Sequence, residues 1–130
     1  MEIIEQKISD FFERFAVQQQ TGIENVKVVI QLLDNSTTNL TPTYSAHTPN
    51  IDKYMLINEI INLSMVDKLA ISYTTINNKI GKFFEQKAKQ LGVPVSTLKG
   101  YIIIKNGKIK AFLFLDGKLN SEFSINDFLK

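Results

Sequence analysis

His47 is the only histidine in the 130 residues, and histidine is the side chain whose ordinary pKa puts proton exchange close to neutrality. It follows Tyr44 and Ser45 in a polar stretch that also holds Pro42 and Pro49. Ser96 and Lys99 add a hydroxyl and an ammonium in a second polar segment. The family resemblance described below implies that both segments meet at one end of a sheet, where open α/β sheets bind ligands. Tyr44, Ser45, His47, Ser96 and Lys99 are therefore expected to line a small ligand-binding site. A serine hydrolase would carry its nucleophile on a G-x-S-x-G turn, which the sequence lacks. The chain has no cysteine, so disulfides, thiolate nucleophiles, cysteine-held zinc and iron–sulfur clusters are excluded. A lone histidine excludes multi-histidine metal sites as well. The six glycines are scattered, so no phosphate loop forms. The carboxylates are too dispersed to nominate an acid–base pair. No catalytic residue, metal or cofactor is nominated, and a small enzyme centred on His47 ranks behind a non-catalytic binding role.

The elements that position these residues belong to one domain, given the length and an apolar fraction of 44% with 22% charged. The net charge of +2 hides an asymmetry. Residues 1–65 carry 4 basic and 8 acidic side chains, and residues 66–130 carry 11 basic and 5 acidic. A basic half of this kind can mark a surface for an anionic partner. Only Arg14 is an arginine, which argues against sequence-specific reading of DNA, since bidentate base contacts favour arginine. No apolar run reaches the ~20 residues that span a bilayer, and the acidic start Met-Glu-Ile-Ile-Glu does not read as a signal peptide. A cytoplasmic location is expected.

Residues 2–20 form an amphipathic helix by the spacing of Ile4, Ile8, Phe11, Phe12 and Phe15, ended by Gln18 to Gly22. Residues 25–33 fit a helix by spacing, but Val26, Val28, Val29 and Ile30 favour a strand buried on both faces. Residues 34–50 read as a long polar loop. Asn50 then caps a helix over 51–64. Residues 68–75 alternate as a strand, followed by a helix over 77–91 capped by Asn77 or Asn78 and stopped at Gly92, although 66–91 also fits one long helix. The clearest element is the hairpin over 100–115, two apolar runs joined by Asn106-Gly107. Ile102 and Ile104 share one face, Tyr101 and Ile103 the other, with Phe112 and Phe114 opposing Ile109, Ala111, Leu113 and Leu115. Two apolar faces imply helices on both sides of the sheet. Asp116-Gly117 turns the chain out, and Ser124 caps a last helix over 125–129 with Ile125, Phe128 and Leu129 packed inward.

After the first helix the order is strand, helix, strand, helix, hairpin, helix. This order, with AKQLGV (88–93), GYIIIKNGKIKAFLFLDGK (100–118) and a final SINDFLK, resembles the thioredoxin fold family over about half of the chain. The resemblance implies an α/β, three-layer thioredoxin-like sandwich with a mixed four-stranded sheet. An additional N-terminal helix, 1–22, would precede the α/β core, 23–130. The family's CxxC would fall in the 34–50 stretch, which holds no cysteine, and its cis-proline would fall at Ser96 or Lys99. The implied role is that of a scaffold without thiol chemistry, acting as a protein-binding or accessory module. Its interaction surfaces would be the N-terminal helix, the 34–50 loop or the edge of the terminal hairpin, with a homodimer through the helix or sheet edge also open. A rival resemblance lies at FFEQKAKQLGVPVSTLKGYI (83–102), which is similar to a helix-turn-helix. It implies a winged-helix DNA binder using 94–101, with Ser96, Thr97 and Lys99 facing DNA.

Overall fold

A computed structural model describes residues 3–32, 42–57 and 73–125. The chain runs from α1 (Ile3–Gln18) through β1 (Lys27–Gln31), β2 (Thr43–His47) and β3 (Met55–Ile57) to α2 (Tyr73–Leu91). It ends in β4 (Leu98–Lys105), β5 (Lys108–Leu115) and β6 (Lys118–Phe123). The strands form one sheet in the order β3-β2-β1-β4-β5-β6, with every neighbouring pair antiparallel. The expected mixed four-stranded sheet is thus replaced by six antiparallel strands.

Side-chain alternation along the strands sorts the sheet into two faces. Val28, Tyr44, Ala46, Leu98, Ile102 and Leu113 lie on one of them and are all buried. Both described helices close this face. Ile8, Phe11, Phe12 and Phe15 of α1 join Ile76, Ile80, Phe84 and Ala88 of α2 in the same apolar cluster. The spacing of three and four residues in each set is the stripe a helix needs to bury one side. The expected helix cover on both faces is not found: among the described residues the layers are two, helices and sheet. The three-layer thioredoxin-like sandwich is accordingly not seen among them.

Several local expectations are corrected. The 34–50 segment is not one loop: Thr43–His47 is β2, with Tyr44 and Ala46 inward, and 33–41 lies outside the described residues. Its period-two pattern is short and polar on one side, so it reads as loop from sequence. The helix expected over 51–64 holds a strand instead, Met55–Ile57, and 58–64 lies outside the described residues. In the strand expected over 68–75, Tyr73 to Thr75 already belong to α2, and 68–72 lies outside the described residues. Burial of the Ile76, Ile80, Phe84 stripe overrides the strand preference of the threonines and Ile76. This helix agrees with the long-helix alternative over the residues described. Asn77 is therefore no cap. It sits inside α2, buried, and accepts a hydrogen bond from the Tyr44 hydroxyl. Tyr44→Phe removes the donor to a buried acceptor and is expected to lower stability by about 1–3 kcal/mol in urea unfolding.

Asn50 is not a helix N-cap either. Its side-chain amide donates to the carbonyls of Gln19 at 2.6 Å and Gln20 at 3.4 Å, tying the turn after β2 to the end of α1. That end is a Schellman motif. Thr21 N–H bonds to the Ala16 carbonyl at 3.0 Å and Gln20 N–H to that of Val17 at 3.1 Å, with Gln20 left-handed at φ 55°. The end of α2 repeats the pattern through Val93 to Ala88 and Gly92 to Lys89, with Gly92 at φ 68°. Glycine holds the left-handed position in α2 and glutamine holds it in α1. Relief of the Cβ penalty makes Gln20→Gly stabilising by about 1 kcal/mol, read as a rise in the urea midpoint with unchanged slope.

The hairpin over 100–115 forms as expected, with Asn106 and Gly107 at φ 54° and 75°. Asp116-Gly117, read as an exit, is a second such turn, at φ 51° and 79°, and it returns the chain as β6. The pairing of β5 with β6 shifts between Leu113 and Phe114, leaving Asn120 as the extra residue. This bulge breaks the alternation by which a strand is recognised. The outer edge of the terminal hairpin, expected to be free, is therefore occupied by β6. Ile125 is buried as expected, and 126–130 lies outside the described residues.

Candidate functional site

The second face of the sheet carries no described helix. Its central cross-strand row runs Leu56, Ser45, Val29, Tyr101, Phe112 and Glu122. On one side of that row His47 opposes Lys27, and Ile103 opposes Lys110; on the other, Lys99 opposes Phe114. The middle is apolar and aromatic: Val29 is buried, and Tyr101, Ile103, Phe112 and Phe114 are partly exposed. Tyr101 and Phe114 meet edge to face at 4.6 Å between centroids. The Lys27 ammonium lies 5.3 Å from the Tyr101 ring centroid, a distance at which a cation is attracted to the ring face.

His47 stacks on Tyr54 with centroids 4.8 Å apart and planes 27° from parallel. Burial pushes the Tyr54 phenol above its ordinary value, and Tyr101 raises it further. The His47–Tyr54 stack extends the aromatic surface beyond Lys27. Tyr54 itself is 43% exposed.

Of the five residues expected to form one polar site, Ser45, His47 and Lys99 share this face. Tyr44 does not, because it alternates inward to Asn77. Ser96 lies in the 3-10 turn Val95–Thr97 ahead of β4, where its carbonyl accepts from Gln31 Nε2 at 3.3 Å. The small site expected around all five is thus split between two faces and a turn. The helix-turn-helix expectation for 83–102 is overturned. The segment that would supply the recognition helix is that three-residue turn followed directly by β4. Ser96 and Thr97 sit in the turn, the Thr97 hydroxyl donating to the Pro94 carbonyl at 2.7 Å, and Lys99 projects from a strand.

The residues missed were Lys27, Tyr101, Phe112 and Phe114 acting together. A signal for them exists in β4 and β5: Lys99, Tyr101, Lys105, Lys108, Lys110, Phe112 and Phe114 all have one parity in the paired strands. Interleaved lysines distinguish a wet aromatic face from one awaiting a helix.

Among the described residues, the fold and this face define an α/β domain of two helices on a six-stranded antiparallel sheet, with a basic, aromatic outer surface. Compared with known proteins, the chain matches no family model, no curated protein and no solved structure. Among the described residues no helix is long and apolar enough to cross a membrane.

Proposed function

We propose that the protein is a non-catalytic binding module, working in the cytoplasm, whose binding surface is the face of the sheet that carries no described helix. The observation that carries this reading is the composition of that face. Aromatic and apolar side chains stand at its centre, and exposed lysines project around them. Apolar surface rimmed by polar residues is characteristic of interaction sites. Lysine stems can lie along the rings while the ammonium groups stay in water, so the face is soluble when free and anion-seeking when it binds.

The test is mapping of amide chemical shifts during titration with two anionic probes, poly-glutamate and a thymidine 15-mer. Shifts clustered on Lys27, Val29, Tyr101, Phe112 and their neighbours support the proposal. Shifts confined to α1 and α2, or no response to either probe at low salt, contradict it.

A further inference from the structure

We infer that the partner of this face is single-stranded nucleic acid, bound without strong sequence preference. The inference rests on the binding-module reading and adds the chemistry of the ligand. Two independent features of the face point to it.

The first is charge. The outward positions of the described strands hold five exposed lysines, Lys27, Lys99, Lys105, Lys108 and Lys110, against one carboxylate, Glu122. A second copy of the chain would bring these lysines against each other, which disfavours face-to-face self-association. A polyanion complements them.

The second feature is the row of rings. Tyr101, Phe112 and Phe114 form a partly exposed platform across the two central strands of the terminal half, with Tyr54 and His47 stacked beyond Lys27. An acidic peptide needs the lysines but has no use for so many rings. Unpaired bases need both, because each base has a π-face to lay on an aromatic side chain while its phosphate meets an ammonium. Neighbouring strands lie about 4.8 Å apart, and Tyr101 and Phe114 meet edge to face across them, so the cluster offers ring faces at different angles beside the Lys27 ammonium. Duplex DNA is the poorer fit, since its bases are stacked on one another and no described helix stands on this face to enter a groove. The single arginine is no obstacle, because backbone contact and stacking do not require bidentate reading of base edges.

Fluorescence anisotropy of labelled dT15 and rU15 with the full chain, over a salt series, tests the inference. Labelled poly-glutamate and a 15-base-pair duplex serve as comparison probes. The expected result is binding of at least one single strand, tighter than the duplex and tighter than poly-glutamate. Tyr101→Ala is expected to weaken it about 5- to 100-fold, and Tyr101→Phe, which keeps the ring, to restore it to within about threefold. Lys99→Gln with Lys110→Gln should flatten the slope of log K against log salt by about 1.4, at ~0.7 for each phosphate that is no longer neutralised. These lysines are exposed, so this second pair of substitutions reads out binding even if Tyr101→Ala perturbs the fold. A single-strand affinity no higher than that for poly-glutamate, with Tyr101→Ala neutral, overturns the nucleic-acid inference and leaves the binding module standing. Failure of every probe at low salt overturns both.

Discussion

Phe84→Ala is expected to lower the unfolding free energy by about 3–5 kcal/mol, as deletion of a fully enclosed phenyl ring does. Phe84 is completely buried, and its place in the fold explains why the loss cannot be absorbed. The ring tip reaches the sheet at Gly100, where a Cβ would stand 2.8 Å from Phe84 Cζ, 3.5 Å from Phe123 Cζ and 3.7 Å from Ile30 Cβ. Glycine in β4 is thus a seat for α2 rather than a flexible point. Gly100→Ala, which creates that clash in a packed core, should cost about 1–3 kcal/mol. The two positions must couple: in the double variant Gly100→Ala with Phe84→Leu, the shorter side chain removes the clash. The double change is expected to be less destabilising than the sum of the singles by about 1 kcal/mol, measured as a double-mutant cycle in urea. Strict additivity would mean that α2 does not rest on Gly100.

Charge reversal on the outer face has the largest expected effect on binding. Lys27→Glu, Lys99→Glu and Lys110→Glu together turn five outward lysines and one carboxylate into two lysines and four carboxylates. The triple variant should bind any polyanionic probe on the order of 100-fold more weakly at low salt, with the difference shrinking as salt rises. All three side chains are exposed, and exposed charges contribute little to folding, so its urea midpoint should stay close to that of the parent. Lys7, Lys82 and Lys89 lie on the helices and provide the control. The same reversal there should leave binding by the sheet face largely intact.

The sequence was most legible where one local rule acted alone. Asn106-Gly107 demanded positive φ and produced a hairpin; Gly92 demanded the same and ended α2. The α1 stripe of Ile8, Phe11, Phe12 and Phe15 was readable because its period belongs only to a helix. Legibility failed where two rules competed or one was interrupted. Thr74, Thr75 and Ile76 prefer strands, yet the stripe continuing through Ile80 and Phe84 draws at least Ile76 into a buried helical face. Asn120 interrupts the alternation of β6, so Asp116-Gly117 looked like a way out of the sheet rather than its second turn.

The candidate site was half legible for a related reason. Ser45, His47 and Lys99 share one face, with His47 and Lys99 on opposite sides of its central row, whereas Tyr44 faces the other way, because neighbours in a strand alternate. Apolar residues on both faces of the hairpin predict helices on both faces. The lysines sharing the register of Tyr101, Phe112 and Phe114 are what make a face without a described helix physically acceptable. Hydropathy alone does not reveal them; the pairing of β4 with β5 does.

The central claim is that this face is accessible in the folded protein while its opposite is sealed. The absence of cysteine from the chain makes a direct measurement possible, because a single introduced thiol is the only reactive one. Adjacent residues of β4 face opposite ways: Ile102 is 1% exposed against the helices, and Ile103 is partly exposed on the outer face. Ile103→Cys and Ile102→Cys should be compared for their rate of reaction with an aromatic disulfide reagent, in native buffer and in denaturant. The account predicts that the thiol at 103 reacts in the native protein within about tenfold of its denatured rate, while the thiol at 102 waits for unfolding. Equal protection of the two thiols would contradict it, because the face assigned to binding would then already be covered.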